Sequence, residues 1–317
     1  MAVPCIAFCL WVAAPAAAQS LKCSVAGPEN VIPEHAPWKT ASGAPVELES
    51  AAPPSPPLCA PGAVPEIMAS GPNVRKKYAG GERCEGGYCY WYATAYIAKK
   101  NVGTNYATRV EGPKMSGWAD AHSDDQYWIS FDNGLRTIEE GWVVEPAVYG
   151  NDAPHLFIYF NPDNYEGEDC QINVDGCEYF VAANEATFTP NEELPEGKLI
   201  EFGAYYESER WYLTVDARVI GYIPESAYKG HFTYAGEVEY GGEVFDDEDA
   251  PTSQMGNGKF GTESGSLGAQ VIDLWDSDLE IEAGPAVTLE TASNKAIYDS
   301  GRLNKSKTEW HFGGPGA

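Results

Sequence analysis

The sequence predicts an all-β protein built as an antiparallel β-sandwich. Three observations carry that expectation. Short aromatic-rich apolar runs recur, clusters of Gly, Asn, Asp and Pro separate them, and no long stretch keeps a 3.6-residue apolar period. Strands are expected at 92–98, 126–131, 137–144, 156–160, 200–206, 211–215 and 218–222. Turn signals such as Asp132-Asn133-Gly134, Tyr149-Gly150-Asn151-Asp152 and Asn161-Pro162-Asp163-Asn164 fall between or just after them. Strands this closely spaced, with no helices between, pair with antiparallel neighbours, which leaves one sheet face packed and the other open to ligands.

Two runs can be read face by face. Period-two alternation puts Gln126, Trp128 and Ser130 on one side and Tyr127, Ile129 and Phe131, the expected core set, on the other. In 237–244, Glu237, Glu239 and Glu243 share a face with Gly241, while Val238, Tyr240 and Val244 oppose them. That polar face is either a solvated outer surface or a site. The acidic run 246–249 reads as a solvated loop. Farther on, 267–279 reads as edge structure.

The 317 residues, 44% of them hydrophobic, supply a sizeable core and exclude a wholly disordered chain. Asp and Glu outnumber Lys and Arg by 47 to 20, a formal charge of −27, which repels nucleic-acid phosphates and anionic membranes. Self-repulsion of this size shrinks as carboxylates protonate, so an acidic medium suits the chain. Residues 1–18 carry an apolar centre and end in Ala-Ala-Ala before Gln19, a secretory-signal pattern lacking the usual basic start; an uncleaved anchor is the alternative. The protein is therefore expected to be secreted and extracellular, with no membrane association after signal cleavage. Eleven of the 23 prolines fall within 19–80, which reads as a linker or prosegment, with the folded domain at 81–317. Six of the eight cysteines lie beyond the signal: Cys23, Cys59, Cys84, Cys89, Cys170 and Cys177. Short spacings make Cys84 with Cys89 and Cys170 with Cys177 the simplest disulfide staples, leaving Cys23 with Cys59.

No serine-nucleophile elbow, Walker loop or dinucleotide fingerprint is present, and five scattered histidines form no metal motif. Neither a cofactor nor a metal is expected. Abundant carboxylates remain, and two of them can hydrolyse a bond unaided, one taking a proton from water and the other giving one to the leaving group. Composition alone does not select the pair.

A resemblance does. The segment Ile138-Glu139-Glu140-Gly141-Trp142-Val143-Val144-Glu145-Pro146, followed by Tyr149-Gly150-Asn151, resembles the Ile-Glu-x-Gly-Trp-x-Val-x-Pro-x-x-Tyr-Gly-Asp pattern of the neprosin family of secreted glutamic peptidases. Gln126-Tyr127-Trp128 is similar to the family's Gln-hydrophobic-Trp strand, 156–160 to its Leu-Phe-x-Tyr-Trp strand and 170–177 to its cysteine loop. The resemblance continues at Gly221-Tyr222-Ile223-Pro224, Tyr240-Gly241-Gly242-Glu243 and Gln254-Met255-Gly256-Asn257-Gly258. Upstream it takes in Cys59-Ala60-Pro61-Gly62-Ala63-Val64-Pro65. Tyr240 and Phe160 stand where the family has Trp, and Asn151 where it has Asp.

The resemblance implies two catalytic glutamates, Glu139 and Glu243, on opposite sides of a cleft on the polar sheet face and sharing a proton in acid. Glu140 is the rival at the first position, but it shares a face with Ile138 and Trp142, both expected in the core. Gln126 is either a donor to the oxyanion or a sheet-capping glutamine, and Trp128 a subsite wall. The resemblance further implies cleavage after proline in peptide or protein substrates and a zymogen that loses the region before about residue 80. A sugar-binding β-sandwich and a glycoside hydrolase are the competing functions, since exposed aromatics and paired carboxylates serve both.

Overall fold

The computed structural model describes residues 23–25, 63–65, 83–85, 88–116, 121–131, 136–163, 169–172, 179–184, 186–230, 232–247, 251–276, 280–290, 294–301 and 303–317. The expected signal segment, Cys59 and Cys177 lie outside these residues. In chain order the strands are β1 (Cys23–Val25), β2 (Ala63–Pro65), β3 (Arg83–Glu85), β4 (Tyr88–Ile97), β5 (Gly103–Arg109), β6 (His122–Phe131) and β7 (Arg136–Val144). There follow β8 (His155–Asn161), β9 (Cys170–Gln171), β10 (Val181–Ala182), β11 (Leu199–Glu207), β12 (Arg210–Val215) and β13 (Arg218–Pro224). The last are β14 (Glu237–Asp247), β15 (Leu267–Trp275), β16 (Ile281–Ala283), β17 (Thr288–Glu290), β18 (Asp299–Gly301) and β19 (Glu309–Gly313). Helix among the described residues amounts to the single turn Pro146–Tyr149 and the 3₁₀ turn Glu225–Tyr228.

The expected sandwich is what forms. One sheet runs β17-β4-β14-β6-β7-β8-β9 with β3 added beside β4. The other runs β10-β13-β12-β11-β5-β15-β19-β18 with β16 beside β15. Every pairing in both sheets is antiparallel. Within the region expected to be linker or prosegment, β1 and β2 pair with each other, Cys23 opposite Pro65. Cys84 stands directly opposite Cys89 across β3 and β4.

Alternation sorts the strand residues as the sequence implies. Tyr127, Ile129, Ile138, Trp142, Val238, Tyr240 and Val244 are fully buried between the sheets. Glu140 is buried among them and accepts a hydrogen bond from the Tyr127 hydroxyl at 2.8 Å. Asp125 is buried too, accepting from the hydroxyls of Tyr106 and Thr108 on the facing sheet. Strand β5 escaped the sequence reading for this reason: its inward residues Thr104, Tyr106 and Thr108 carry hydroxyls that bond Tyr240 and Asp125, so no apolar alternation marks it.

Two expectations are corrected. Residues 267–275 form β15, a central strand between β5 and β19, because Leu267, Ala269, Val271 and Leu274 are buried. The acidic run is not wholly a loop: Asp246 and Asp247 continue β14, and Asp246 is buried on its inward face. There it accepts hydrogen bonds from the Ser253 backbone N–H at 2.7 Å and the Ser116 hydroxyl at 2.9 Å. A carboxylate with two donors is tolerated inside, and this one ties the chain after β14 back to the sheet.

Candidate active site

The outward face of the first sheet is a ladder of cross-strand rungs, and the sequence-selected residues fall on adjacent ones. One rung runs Tyr92, Glu243, Asp124, Val143, His155 across β4, β14, β6, β7 and β8. The next runs Thr94, Gly241, Gln126, Gly141, Phe157. The third runs Tyr96, Glu239, Trp128, Glu139, Tyr159. Glu243, Gln126 and Glu139 thus lie on one diagonal of a single face, with Gln126 in the middle.

Both neighbours of Gln126 on its own rung are glycines. A Cβ on Gly141 would stand 2.2 Å from the Asp125 carbonyl oxygen and 2.5 Å from Gln126 Cα. One on Gly241, whose φ is +139°, would stand 2.4 Å from the Ala93 carbonyl oxygen. The strands therefore close tightly around Gln126, which is fully buried and has no hydrogen-bond partner at either amide atom. A buried amide left without partners is costly, and such a group is a frequent sign of a missing ligand.

Glu139 is 4% and Glu243 5% exposed. Thr137 donates its hydroxyl to Glu139 Oε1 at 3.3 Å. Glu243 Oε1 lies 3.5 Å from His122 Nε2, and Asp124 Oδ2 lies 4.0 Å from the same nitrogen. The two glutamates lie on one sheet face, on strands that are not neighbours. Strand β6 separates them, and two strand spacings across with four residues along set their Cα atoms roughly 16 Å apart. Each carboxyl has its own neighbours, so the expectation of a directly shared proton gives way to two separately placed groups flanking Gln126.

Beside Gly141, Val143, Phe157 and Tyr159 form an apolar cluster on this same face, with Tyr149 packed against it. Tyr149 stacks on His155 with ring centroids 3.8 Å apart. Trp128, expected as a subsite wall, stands between Glu239 and Glu139, but its side chain lies outside the described residues. The sequence reading missed His122 and Asp124. Their signal was the even spacing 122, 124, 126, which puts both on the face of Gln126 once β6 is known to begin at His122. Two acids on the other sheet are perturbed: burial raises Glu201 to about 7 and Asp273 to about 6.

Residues 119–315 match the Neprosin family. The chain belongs to the neprosin family. Membership supports a glutamic peptidase, and the matched span reaches past β15 to β19, beyond the segment of motif resemblance. Among solved structures, this neprosin-family chain is similar to scytalido-glutamic peptidase with a transition-state analogue inhibitor: TM-score 0.41, 10% identity, 71% of this chain and 97% of that one. It is also similar to SCP-B, a member of the Eqolisin family of peptidases in complex with the tripeptide Ala-Ile-His, at TM-score 0.39, 10% identity and the same coverages. A third is the carbohydrate-binding module CBM66 from Bacillus subtilis, at TM-score 0.29, 11% identity, 56% of this chain and 94% of that one.

Proposed function

We propose that the chain is a secreted, acid-active endopeptidase that cleaves after proline, with Glu139 and Glu243 as its catalytic pair and Gln126 as the oxyanion donor. The observation that carries this reading is the diagonal Glu243, Gln126, Glu139 on one face, with the central amide unpartnered and flanked by Gly141 and Gly241. A peptide group laid between Gly241 and Gly141 meets the Gln126 amide and has a glutamate on either side along the diagonal. One ionised glutamate takes a proton from water as the water oxygen bonds to the carbonyl carbon. The Gln126 amide donates to the oxygen that gains charge. The other glutamate, protonated, gives its proton to the nitrogen as the C–N bond breaks.

The apolar cluster of Val143, Phe157 and Tyr159 beside Gly141 supports a subsite for a proline ring, and the prolines of 19–80 supply processing sites for the same specificity. Removal of that segment at acid pH converts the precursor to the active form. The near-complete burial of Glu139, Gln126 and Glu243 in the full-length chain supports a latent precursor. Register opposition of Cys84 and Cys89 supports the first local disulfide, and the bonded state of Cys170 supports the second, with Cys177.

The test is cleavage of a proline-rich reporter peptide from about pH 2 to 8 by acid-incubated wild type, Glu139→Gln and Glu243→Gln, each checked for folding. Cleavage confined to acid and lost in both variants is expected, because the mechanism needs one protonated and one ionised carboxyl. Full activity at pH 8, or turnover retained in either variant, overturns the assignment.

A further inference from the structure

Beside the catalytic diagonal, one corner of the same face has the composition of a metal centre. His122 and Asp124 project from alternate positions of β6, and Glu243 is the register partner of Asp124 on β14. One ligand atom from each lies within 4.8 Å of the others, and all three residues are buried. We infer that His122, Asp124 and Glu243 form a three-ligand site for a divalent transition-metal ion of the zinc type, and that its occupation inhibits the enzyme by withdrawing Glu243. The inhibitory part rests on the role proposed above for Glu243; the binding part does not.

The distances suit the ion. Zinc bonds nitrogen and carboxylate oxygen at about 2.0–2.2 Å, so the edges of its tetrahedron measure roughly 3.3 Å. The His122 nitrogen stands 3.5 Å from Glu243 and 4.0 Å from Asp124, about 0.2 and 0.7 Å longer than those edges, which small side-chain rotations can close. Calcium needs six to eight oxygen ligands, and a site with an imidazole and two carboxylates favours the zinc class instead. The ligands are preorganised because both strands are central in their sheet. Phe245, the register partner of His122, stacks on its ring at 5.4 Å and 20°, and Tyr90 flanks it at 6.2 Å. A second observation points the same way. The unpartnered Gln126 amide stands on the next rung of this face, next to Asp124, where it can meet a water in the fourth metal position.

A divalent ion here neutralises two carboxylates held close together. It also competes with protons for all three ligands, so binding weakens as the pH falls. Metal would thus hold the enzyme off near neutrality and leave it in acid.

The experiment is calorimetric titration of Zn²⁺ into the full chain and into the acid-incubated protein at about pH 7, with Co²⁺ absorption reporting coordination geometry. One equivalent with a tetrahedral Co²⁺ spectrum is expected, weakened roughly tenfold or more in both His122→Gln and Asp124→Asn. Two substitutions at different ligands, each checked by circular dichroism, separate ligand loss from misfolding. Zn²⁺ should also suppress peptide cleavage at the highest pH where it is measurable, with recovery on adding a chelator. Absence of stoichiometric binding to either form, or equal affinity in both variants, overturns the site. Binding with no effect on cleavage overturns the inhibitory role. A protein that binds zinc as described yet cleaves no peptide retains the metal site and refutes the peptidase reading instead.

Discussion

Gln126 is where the site's chemistry and its cost meet. Its amide lacks partners in a buried setting, so removing it should ease folding while harming turnover. Gln126→Ala is expected to lower kcat by about 10²–10³ with little change in KM, read in steady-state kinetics on the reporter peptide. The adjacent glutamates make the complementary case. Glu140→Gln should keep activity, since Glu140 faces Tyr127 between the sheets rather than the ladder of site residues, and an amide oxygen can still accept from the Tyr127 hydroxyl. That Glu140 lies between the sheets and Glu139 on the opposite face was legible from strand parity, because Ile138 and Trp142 mark the inward face. The pairing of His122 and Asp124 with Glu243 was not, because it depends on the register between β6 and β14, two segments more than a hundred residues apart.

At the level of elements, the tight seam of β6 and β7 at Gly141 fixes the position of Gln126. Gly141→Ala places a methyl group 2.2 Å from the Asp125 carbonyl oxygen, so β6 and β7 must separate locally. A stability loss of about 1–3 kcal/mol is expected, seen as a lower denaturation midpoint, together with a fall in kcat, since the displaced strand carries Gln126. A folded, fully active Gly141→Ala enzyme would show that the seam does not position the amide. Strands whose inward residues are mostly apolar, such as β7 with Ile138, Trp142 and Val144 beside Glu140, and β8, were legible from their pattern. Strand β5 was not, because its inward positions bond buried polar groups of the other sheet, and a pattern of hydroxyls resembles a surface until the partner is known. The C-terminal strands were hidden differently: β16, β17 and β18 have three residues each and take their place through pairing rather than periodicity.

For the whole molecule, the acids between the sheets link stability to pH. Burial pushes Asp125 up to about 7, against the hydrogen bonds from Thr108 and Tyr106, and lifts Glu140 well above the usual carboxylate range. An unfolded chain would give up the Asp125 proton near pH 4. Between roughly pH 4 and 7 the folded state therefore holds the extra Asp125 proton, so its contribution to stability falls as pH rises through that window and levels off above it, and Glu140 acts in the same direction. The Asp125 share is on the order of 4 kcal/mol, and self-repulsion from the −27 charge acts in the same direction. The Tm at pH 4 should exceed that at pH 7 by roughly 10 °C, with a visibly flatter profile in Asp125→Asn. A Tm that rises toward neutrality would contradict this. The sandwich and its polar face followed from the sequence alone, whereas which acids lie inside could be seen only once the two sheets were joined. Those interior acids also bear on how long the protein lasts. A copy moved from acid into neutral surroundings keeps its fold with a smaller margin, because part of the Asp125 population then carries a charge inside the core, so its lifetime should shorten as the medium is neutralised.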